Sequence, residues 1–276
     1  MGVAVALEGY GPLQVAASRI IIAAVILTAY AWVTGREMPG KTGSKRVWLH
    51  IVGFAILSNA LPFSLLGWGM QHVASGFAGV SMAVVPLLVL PLAHFLVPGE
   101  RLSRLKAVGF VVGFVGTIIL IGPRAFATTG GSLENLARLA CVAAAASYAF
   151  GSITTRLAPP TGMIAYAAAT LVVASLIITP YAIAVKGWPP LADGRATLAM
   201  AYLAIFPTAI ATLMMVHIIR TAGPSFLSLV NYQVPLWSVL FGPVLLSEVL
   251  PGSLFIALTL ILIGLGLSQL ASRAAR

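Results

Sequence analysis

Charged residues are scarce in this sequence. Only 8% of its 276 residues are charged, and just six of them are acidic, whereas a soluble domain typically carries about 25% charged residues. A water-soluble protein of this length could not cover its surface with so few charges. The scarcity therefore argues against a soluble domain and indicates that lipid surrounds most of the chain.

The sequence also lacks the patterns of disulfide frameworks, metal sites and membrane-embedded catalysts. Cys141 is the single cysteine, and it lies in an apolar run where a small buried side chain is expected. No CxxC or Cys/His cluster is spaced for a metal. No HExxH motif, carboxylate pair or Ser/His pair is visible among four histidines and six acids. The sequence therefore predicts no catalytic residue, no metal and no cofactor, and an intramembrane enzyme is the weaker alternative.

Long apolar segments make up most of the sequence. Hydrophobic residues make up 60% of the chain and its mean hydropathy is +1.03. A helix needs about 20 apolar residues to cross a bilayer. We predict an all-α integral membrane protein with nine spans, near residues 12–34, 47–69, 73–97, 104–122, 135–155, 161–185, 196–219, 224–247 and 251–271.

The distribution of basic residues predicts the orientation of these spans. Alternate loops place eleven Lys and Arg residues on one side and four on the other, which is a positive-inside pattern. The 35–46 loop and the C-terminus are therefore expected in the cytoplasm of a bacterium, with the chain crossing the inner membrane. This distribution also explains the net charge of +10. Nucleic-acid-binding proteins cluster their basic residues on one solvated face, and no such cluster is present in this sequence.

The chain contains an internal repeat that predicts two inverted halves. The matched residues are Phe77 with Phe226, Pro86 with Pro235, Glu100 with Glu248, Leu102 with Leu250 and Gly116 with Gly264. A full repeat has five spans, and this odd number makes the two copies enter the membrane with opposite polarity. Inverted repeats commonly place a substrate site near the bilayer midplane.

The repeat also predicts domain boundaries and a missing helix. Residues 1–122 form the first repeat, 123–134 an outer loop, and 135–276 the second repeat. Only a short segment, MGVAVAL, stands where the first helix of the first repeat is expected. We expect residues 1–8 to form at most a helical stub, explained by a start codon assigned too far downstream or by a shortened form of the protein.

The segments that carry these features resemble the EamA type of the drug/metabolite transporter superfamily. They are LEGYGPLQVAASRIIIAAVIL, GWGMQHVASGFAGVSMAVVPLLVLPLAHFLVPGERLS and residues 222–266, and the resemblance extends over roughly residues 3 to 271. It implies ten helices in two inverted five-helix halves around a central cavity. It further implies export of amino acids, other metabolites or drugs.

Polar side chains within the spans are the candidate site residues. Arg19 lies about seven residues into its span, and a charge at that depth marks a functional site unless it is paired or snorkels outward. Its position also matches an arginine common in the resembling family. Asn231 shares a helical face with Ser228 and Pro235, with Tyr232 beside it, and this face is expected to line the cavity. Packing and interhelical hydrogen bonds are the alternative for each.

Further candidates are weaker. Polar or aromatic cavity contacts are expected from Asn59, Trp68, Thr208 and His217. Helix breaks or gates are expected at Pro86, Pro235, Glu100 and Glu248, although both glutamates are better explained as caps of the next helix, with Glu100 paired to Arg101 and Arg104. His94 is a candidate for carrying a coupling proton.

A stripe of small residues predicts close helix packing. Gly109 and Gly113 form a GxxxG pattern that Gly116 continues, and small residues let helices approach closely in lipid. We expect this contact within one chain rather than between two, while the choice between monomer and homodimer stays open.

These observations favour a secondary transporter, an exporter of a small metabolite, amino acid or drug by alternating access between the repeats. Its expected partners are that small molecule and membrane lipids. A membrane receptor or scaffold without transport is the alternative. It would normally carry a soluble module, for which no loop here is long enough.

Overall fold

The computed structural model describes residues 2–39, 44–73, 75–189, 194–233 and 253–274. Within these ranges every regular element is helical. The helices are α1 (Gly2–Ala6), α2 (Pro12–Val33), α3 (Lys45–Ala55), α4 (Leu61–Gly69), α5 (Ser75–Ala83), α6 (Val85–Leu96), α7 (Arg104–Ile121), α8 (Glu134–Arg156), α9 (Met163–Lys186), α10 (Gly194–Ala204), α11 (Ala211–Thr221), α12 (Pro224–Ser228) and α13 (Leu254–Ala274).

Three shorter elements complete this order. A π-helical segment, π1 (Ile56–Ala60), joins α3 to α4, and a second, π2 (Ile205–Ile210), joins α10 to α11. A 3₁₀ turn at Pro123–Phe126 follows α7. Because π1 and π2 continue the helices on either side, α3–π1–α4 and α10–π2–α11 each form one continuous membrane span.

Eight of the nine predicted spans are confirmed within the described residues, with ends that differ from the predicted ones by a few residues. They are Pro12–Val33, Lys45–Gly69, Phe77–Leu96, Arg104–Ile121, Glu134–Arg156, Met163–Lys186, Gly194–Thr221 and Leu254–Ala271. The ninth, at 224–247, lies largely outside those residues. At the N-terminus, α1 has five residues, which is far too short to cross a bilayer.

Local sequence signals explain where several spans begin and end. Ser103 caps α7 by accepting a hydrogen bond from the Lys106 N–H at 3.2 Å, which satisfies a donor that the helix leaves free. The helix ends at Gly122, whose φ of 77° is a left-handed conformation that glycine adopts without strain. Pro12 begins α2, where the missing proline N–H costs no hydrogen bond.

The helices group into two compact units, and each unit draws on both predicted repeats. Unit 1 comprises residues 1–67 and 154–221, and unit 2 comprises residues 68–153 and 222–276. In unit 1, α2 and α9 pack along each other, and these helices are equivalent in the predicted repeats. The buried side chains of this contact include Ile20, Ala23 and Leu27 on α2 and Leu171, Ala174 and Ile178 on α9.

Unit 2 contains the predicted glycine contact. A Cβ atom on Gly109 would lie 2.7 Å from the Gly264 carbonyl oxygen, and one on Gly116 would lie 3.0 Å from the Ala257 carbonyl oxygen. Backbone therefore meets backbone where α7 crosses α13. The structure confirms that the glycine stripe packs within the chain.

Candidate functional site

Both π-helical segments lie beside a proline. Pro207 stands inside π2, and Pro62 follows the end of π1 by two residues. A proline has no backbone N–H, so the regular ladder of helical hydrogen bonds is interrupted and a wider turn is accommodated. The segments begin 149 residues apart, which is the offset that relates Pro86 to Pro235 in the sequence repeat. Single π turns inside helices are frequent at functional sites.

In π2, the Thr208 hydroxyl replaces the hydrogen bond that the helix loses at Pro207. The Leu203 carbonyl would accept the N–H of residue 207 in a regular α-helix, but Pro207 has none. The Thr208 Oγ1 donates to the Leu203 carbonyl oxygen instead, at 2.7 Å. Since Thr208 is almost fully buried, its hydroxyl oxygen remains as an acceptor inside the protein.

Arg19 of α2 is the group that uses this acceptor. Its Nε donates to Thr208 Oγ1 at 2.8 Å, and its Nη2 donates to the Pro207 carbonyl oxygen at 3.1 Å. That carbonyl is accessible because the Ala211 N–H is directed to the carbonyls of Phe206 and Thr208. The bends of π2 therefore create two acceptors for one guanidinium group.

An aromatic ring completes the surroundings of Arg19. The Arg19 Cζ lies 4.9 Å from the ring centroid of Phe63 on α4, within the range of a cation–π contact. Arg19 stands about 10 Å along the axis of its span, where a charge is costly unless it is compensated. Two oxygen acceptors and a ring supply that compensation, so the charge is held at membrane depth. We call Arg19, Thr208, Pro207 and Phe63 the arginine cluster.

Asn59 in π1 occupies the position equivalent to Thr208, but no arginine stands at the position equivalent to Arg19. At the repeat offset, the counterpart of Arg19 is Ala168 on α9. Asn59 is 3% exposed, and its Nδ2 atom has no hydrogen-bond partner. A buried amide donor without an acceptor is destabilising by about 1–3 kcal/mol. Since Phe63 follows Asn59 by one helical turn, the free amide lies on the same side of its span as the ring under Arg19.

The other candidates in these spans are not part of the arginine cluster. His217 on α11 is exposed, and its Nδ1 lies 3.3 Å from the Met163 Sδ at the start of α9. Trp68, near the end of α4, belongs to unit 2 and packs against the His72 ring with a centroid separation of 5.1 Å. Their predicted contacts with a substrate remain predictions.

The polar residues of α12 and the following turn lie in unit 2. Ser228 Oγ donates to the Ser225 carbonyl at 2.8 Å, and Asn231 Nδ2 donates to the Ser228 carbonyl at 3.2 Å. Tyr232 is completely buried, and its hydroxyl donates to the Phe110 carbonyl at 2.9 Å. The donors that were predicted to line a cavity are thus used within unit 2, and their contact with a substrate stays a prediction.

The loop between α6 and α7 holds two further candidates. His94 Nδ1 accepts a hydrogen bond from the Leu102 N–H at 3.3 Å, so this histidine links the last turn of α6 to the loop. Glu100 pairs with Lys106 at 3.3 Å rather than with the predicted Arg101 and Arg104. That prediction was wrong because Ser103 caps α7, which brings Lys106 in its first turn to the carboxylate.

The proline candidates differ in what can be described. α5 ends at Ala83 and α6 begins at Val85, so a break immediately precedes Pro86. Pro235 and Glu248 lie outside the described residues. Among the residues that are described, no three His, Cys, Asp or Glu side chains are grouped in a way that could hold a metal ion.

Sequence reasoning missed two members of the arginine cluster. Phe63 is one of many aromatic residues in apolar runs, and nothing in the sequence distinguishes it. Pro207 did carry a signal, because a proline directly before a threonine in the middle of a span predicts a freed carbonyl and a hydroxyl to satisfy it.

Comparison with known proteins gives matches over almost the whole chain. The EamA-like transporter family matches residues 2–122 and 135–269. The inner membrane transporter YedA of Escherichia coli (strain K12) is 28% identical over 268 residues, covering 93% of this chain and 81% of that protein. The aromatic amino acid exporter YddG of Ancylobacter novellus is 28% identical over 230 residues, covering 82% of this chain and 77% of that protein.

Two further comparisons extend the range of relatives. The S-adenosylmethionine/S-adenosylhomocysteine transporter of Chlamydia trachomatis (serovar L2) is 26% identical over 272 residues, covering 94% of this chain and 81% of that protein. A solved crystal structure superposes with a TM-score of 0.81 at 22% identity, covering 99% of this chain and 93% of the other. That structural likeness shows a shared fold.

Proposed function

The chain belongs to the EamA-like transporter family, and on that premise we propose that this multi-pass inner-membrane transporter exports a small organic metabolite by alternating access. The proposed substrate class follows the names of its relatives, which include an aromatic amino acid exporter and an S-adenosylmethionine/S-adenosylhomocysteine transporter. We further propose that the two separately matched segments are inverted repeats, with the 35–46 loop and the C-terminus in the cytoplasm.

The arginine cluster is the observation that carries this proposal. A guanidinium group within a span is expensive to maintain, and such groups generally mark a substrate or ion pathway. Here its acceptors come from a helix interrupted at a proline, and interrupted helices near the midplane are the usual location of transporter binding sites. Asn59 adds a buried donor without an acceptor, which a substrate carbonyl or carboxylate would satisfy.

Flux measurements on purified protein in liposomes test the proposal. Radiolabelled aromatic amino acids and S-adenosylmethionine are the first probes, because relatives carry them in their names. We expect Arg19→Gln to reduce flux at least about tenfold, corresponding to about 1.4 kcal/mol. Arg36→Gln is the matched control, since Arg36 is exposed just beyond the end of the same helix, and it should leave flux unchanged.

The competing functions give different results in the same preparation. A receptor or scaffold would bind a probe, with a rise in thermal stability, but would show no flux of any probe in sealed vesicles. An enzyme would convert a probe to product in detergent without a gradient. Equal flux in Arg19→Gln and the parent protein would remove the arginine cluster from the transport pathway.

Cysteine labelling tests the proposed orientation. A cysteine placed at position 43 or 275 in a Cys141→Ser background should react with a membrane-impermeant maleimide only after cells are opened. Labelling of either position in intact cells would contradict the orientation that the positive-inside pattern favours.

A further inference from the structure

One end of unit 1 carries two arginines without a carboxylate. Arg156 is the last residue of α8, Arg220 is the second-last residue of α11, and α9 begins nearby at Met163. The ion pairs within the described residues, Glu100–Lys106 and Glu134–Arg138, both lie in unit 2. Neither arginine at this end of unit 1 is therefore neutralised by an acid of the described chain.

Several contacts hold the Arg220 guanidinium in place. Its Nη1 donates to the Thr161 carbonyl, and its Cζ lies 4.3 Å from the ring centroid of Tyr166. Arg156 Nη1 donates to the Arg220 carbonyl, so the end of α11 is capped by a second basic residue. These contacts fix the orientation of the guanidinium group, and its other edge, formed by Nε and Nη2, takes no part in them.

That edge is buried and unused. The Arg220 Nε and Nη2 atoms are inaccessible to solvent and have no hydrogen-bond partner. Together they form the flat two-donor edge that binds two oxygens of a carboxylate or phosphate. A buried cationic edge without an acceptor is unfavourable, so an oxygen acceptor that reaches this edge would be stabilising.

Thr155 provides a further polar group near this edge. The residue is completely buried, and apart from a contact with the Tyr166 hydroxyl its Oγ1 has no hydrogen-bond partner. The Thr155 hydroxyl contacts the Tyr166 side chain, and the Arg220 guanidinium lies over the Tyr166 ring, which places both groups around the same residue. A threonine hydroxyl can donate to an oxyanion, and burial strengthens such bonds because water does not compete.

We propose that Arg220 and Thr155 form a binding site for an oxyanion, a carboxylate or phosphate group, at this end of unit 1. The guanidinium edge binds two oxygens, the Thr155 hydroxyl binds another, and Arg156 adds a second positive charge. A small soluble anion and the headgroup of an anionic phospholipid offer the same chemistry. The proposal concerns anion binding only, and it holds whether or not the protein transports the anion.

Thermal unfolding of the full-length protein in detergent tests the site. Sodium acetate and sodium phosphate are titrated at constant ionic strength against sodium chloride. We expect a saturable rise in Tm for the parent protein, since a ligand that binds only the folded state stabilises it. Arg220→Lys keeps the charge but loses the flat edge and should weaken apparent affinity about tenfold or more. Thr155→Val, which removes only the hydroxyl, should weaken it about threefold or more.

Arg101→Lys is the matched control, because Arg101 is exposed in the loop between α6 and α7, and its affinity should equal that of the parent protein. A lipid source is tested by native mass spectrometry after exchange into phosphatidylglycerol or phosphatidylcholine vesicles. Retention of phosphatidylglycerol by the parent protein, and its loss in Arg220→Lys, would support the site with lipid as its ligand.

Equal responses of the parent protein and Arg220→Lys to both anions and to phosphatidylglycerol would overturn the proposal. If Arg220→Lys does not fold, Thr155→Val decides, since unchanged affinity for anion and lipid alike would overturn it. None of these measurements uses flux, so their outcome is independent of the transport proposal.

Discussion

The two units of this transporter join their helices by opposite means. In unit 2, α7 and α13 meet at glycines, with backbone atoms in direct contact. In unit 1, α2 and α9 meet through alanine and branched aliphatic side chains, and a half-buried arginine reaches from α2 to the π-helical turn π2. The helix contact in unit 2 therefore depends on the absence of side chains, whereas unit 1 depends on a few polar side chains.

The largest expected effect comes from filling the glycine contact. A Cβ atom on Gly264 would lie 2.5 Å from the Gly109 carbonyl oxygen and 2.6 Å from the Gly113 amide nitrogen. These are backbone atoms that cannot rotate away, so the two helices must separate. We expect Gly264→Ala to lower the free energy of unfolding by about 3 kcal/mol, measured by thermal or SDS-induced unfolding in micelles.

Gly266→Ala is the matched control on the same helix. No atom lies within 4 Å of a Cβ built at Gly266, and alanine is favoured over glycine within a helix by up to about 1 kcal/mol. This variant should therefore be as stable as the parent protein or more stable. Similar losses in both variants would show that the close contact between α7 and α13 is not what stabilises unit 2.

An intermediate effect is expected from Thr208→Val in unit 1. This change keeps the side-chain shape but removes both the bond to the Leu203 carbonyl and the acceptor for Arg19 Nε. We expect a loss of about 1–2 kcal/mol, measured as for the glycine variants, together with reduced flux.

Thr259→Val provides the comparison for that threonine. Thr259 is exposed on α13, and its Oγ1 donates to the Phe255 carbonyl at 2.8 Å, a bond to its own helix much like that of Thr208. Because no arginine uses this hydroxyl, we expect a change below about 0.5 kcal/mol. A loss equal to that of Thr208→Val would mean that Arg19 adds nothing to the stability of π2.

The smallest effect on stability is expected from a substitution at Asn59, and any change should stabilise the protein rather than destabilise it. Replacing a buried polar group that has no partner with an apolar group of similar size is neutral or stabilising. We expect Asn59→Leu to leave the free energy of unfolding unchanged or raise it by up to about 1 kcal/mol, while lowering flux. Asn231→Leu in unit 2 removes a hydrogen bond that is made and should instead destabilise. Unchanged flux in a stable Asn59→Leu variant would exclude Asn59 from the substrate pathway.

The fold was predictable where one property dominates. Apolar length determines a span almost by itself, since every backbone polar group in lipid must be satisfied within its own helix. The eight spans in the described residues follow that rule. The glycine stripe was predictable for a related reason, because small residues at helical spacing have few other uses within a membrane span.

The candidate site was predictable only in part, because it depends on which side chains meet. The charge of Arg19 and the polar residues Asn59 and Thr208 are visible in the sequence, and so is the 149-residue offset between the last two. The sequence does not show that Arg19 uses Thr208, or that Asn59 lacks a partner. Those facts depend on the two π turns, which arise when a proline interrupts a helix whose neighbours can accommodate the extra width.

The eight described spans and the charge asymmetry could be derived from the sequence alone, since each follows from the free energy of single groups in lipid or water. Three features appear only in the folded chain: each unit combines helices of both predicted repeats, Glu100 pairs with Lys106, and the Tyr232 hydroxyl is directed to a backbone carbonyl. Such pairings depend on distances between residues far apart in the chain, and hydrogen bonds and close packing change steeply over about 1 Å.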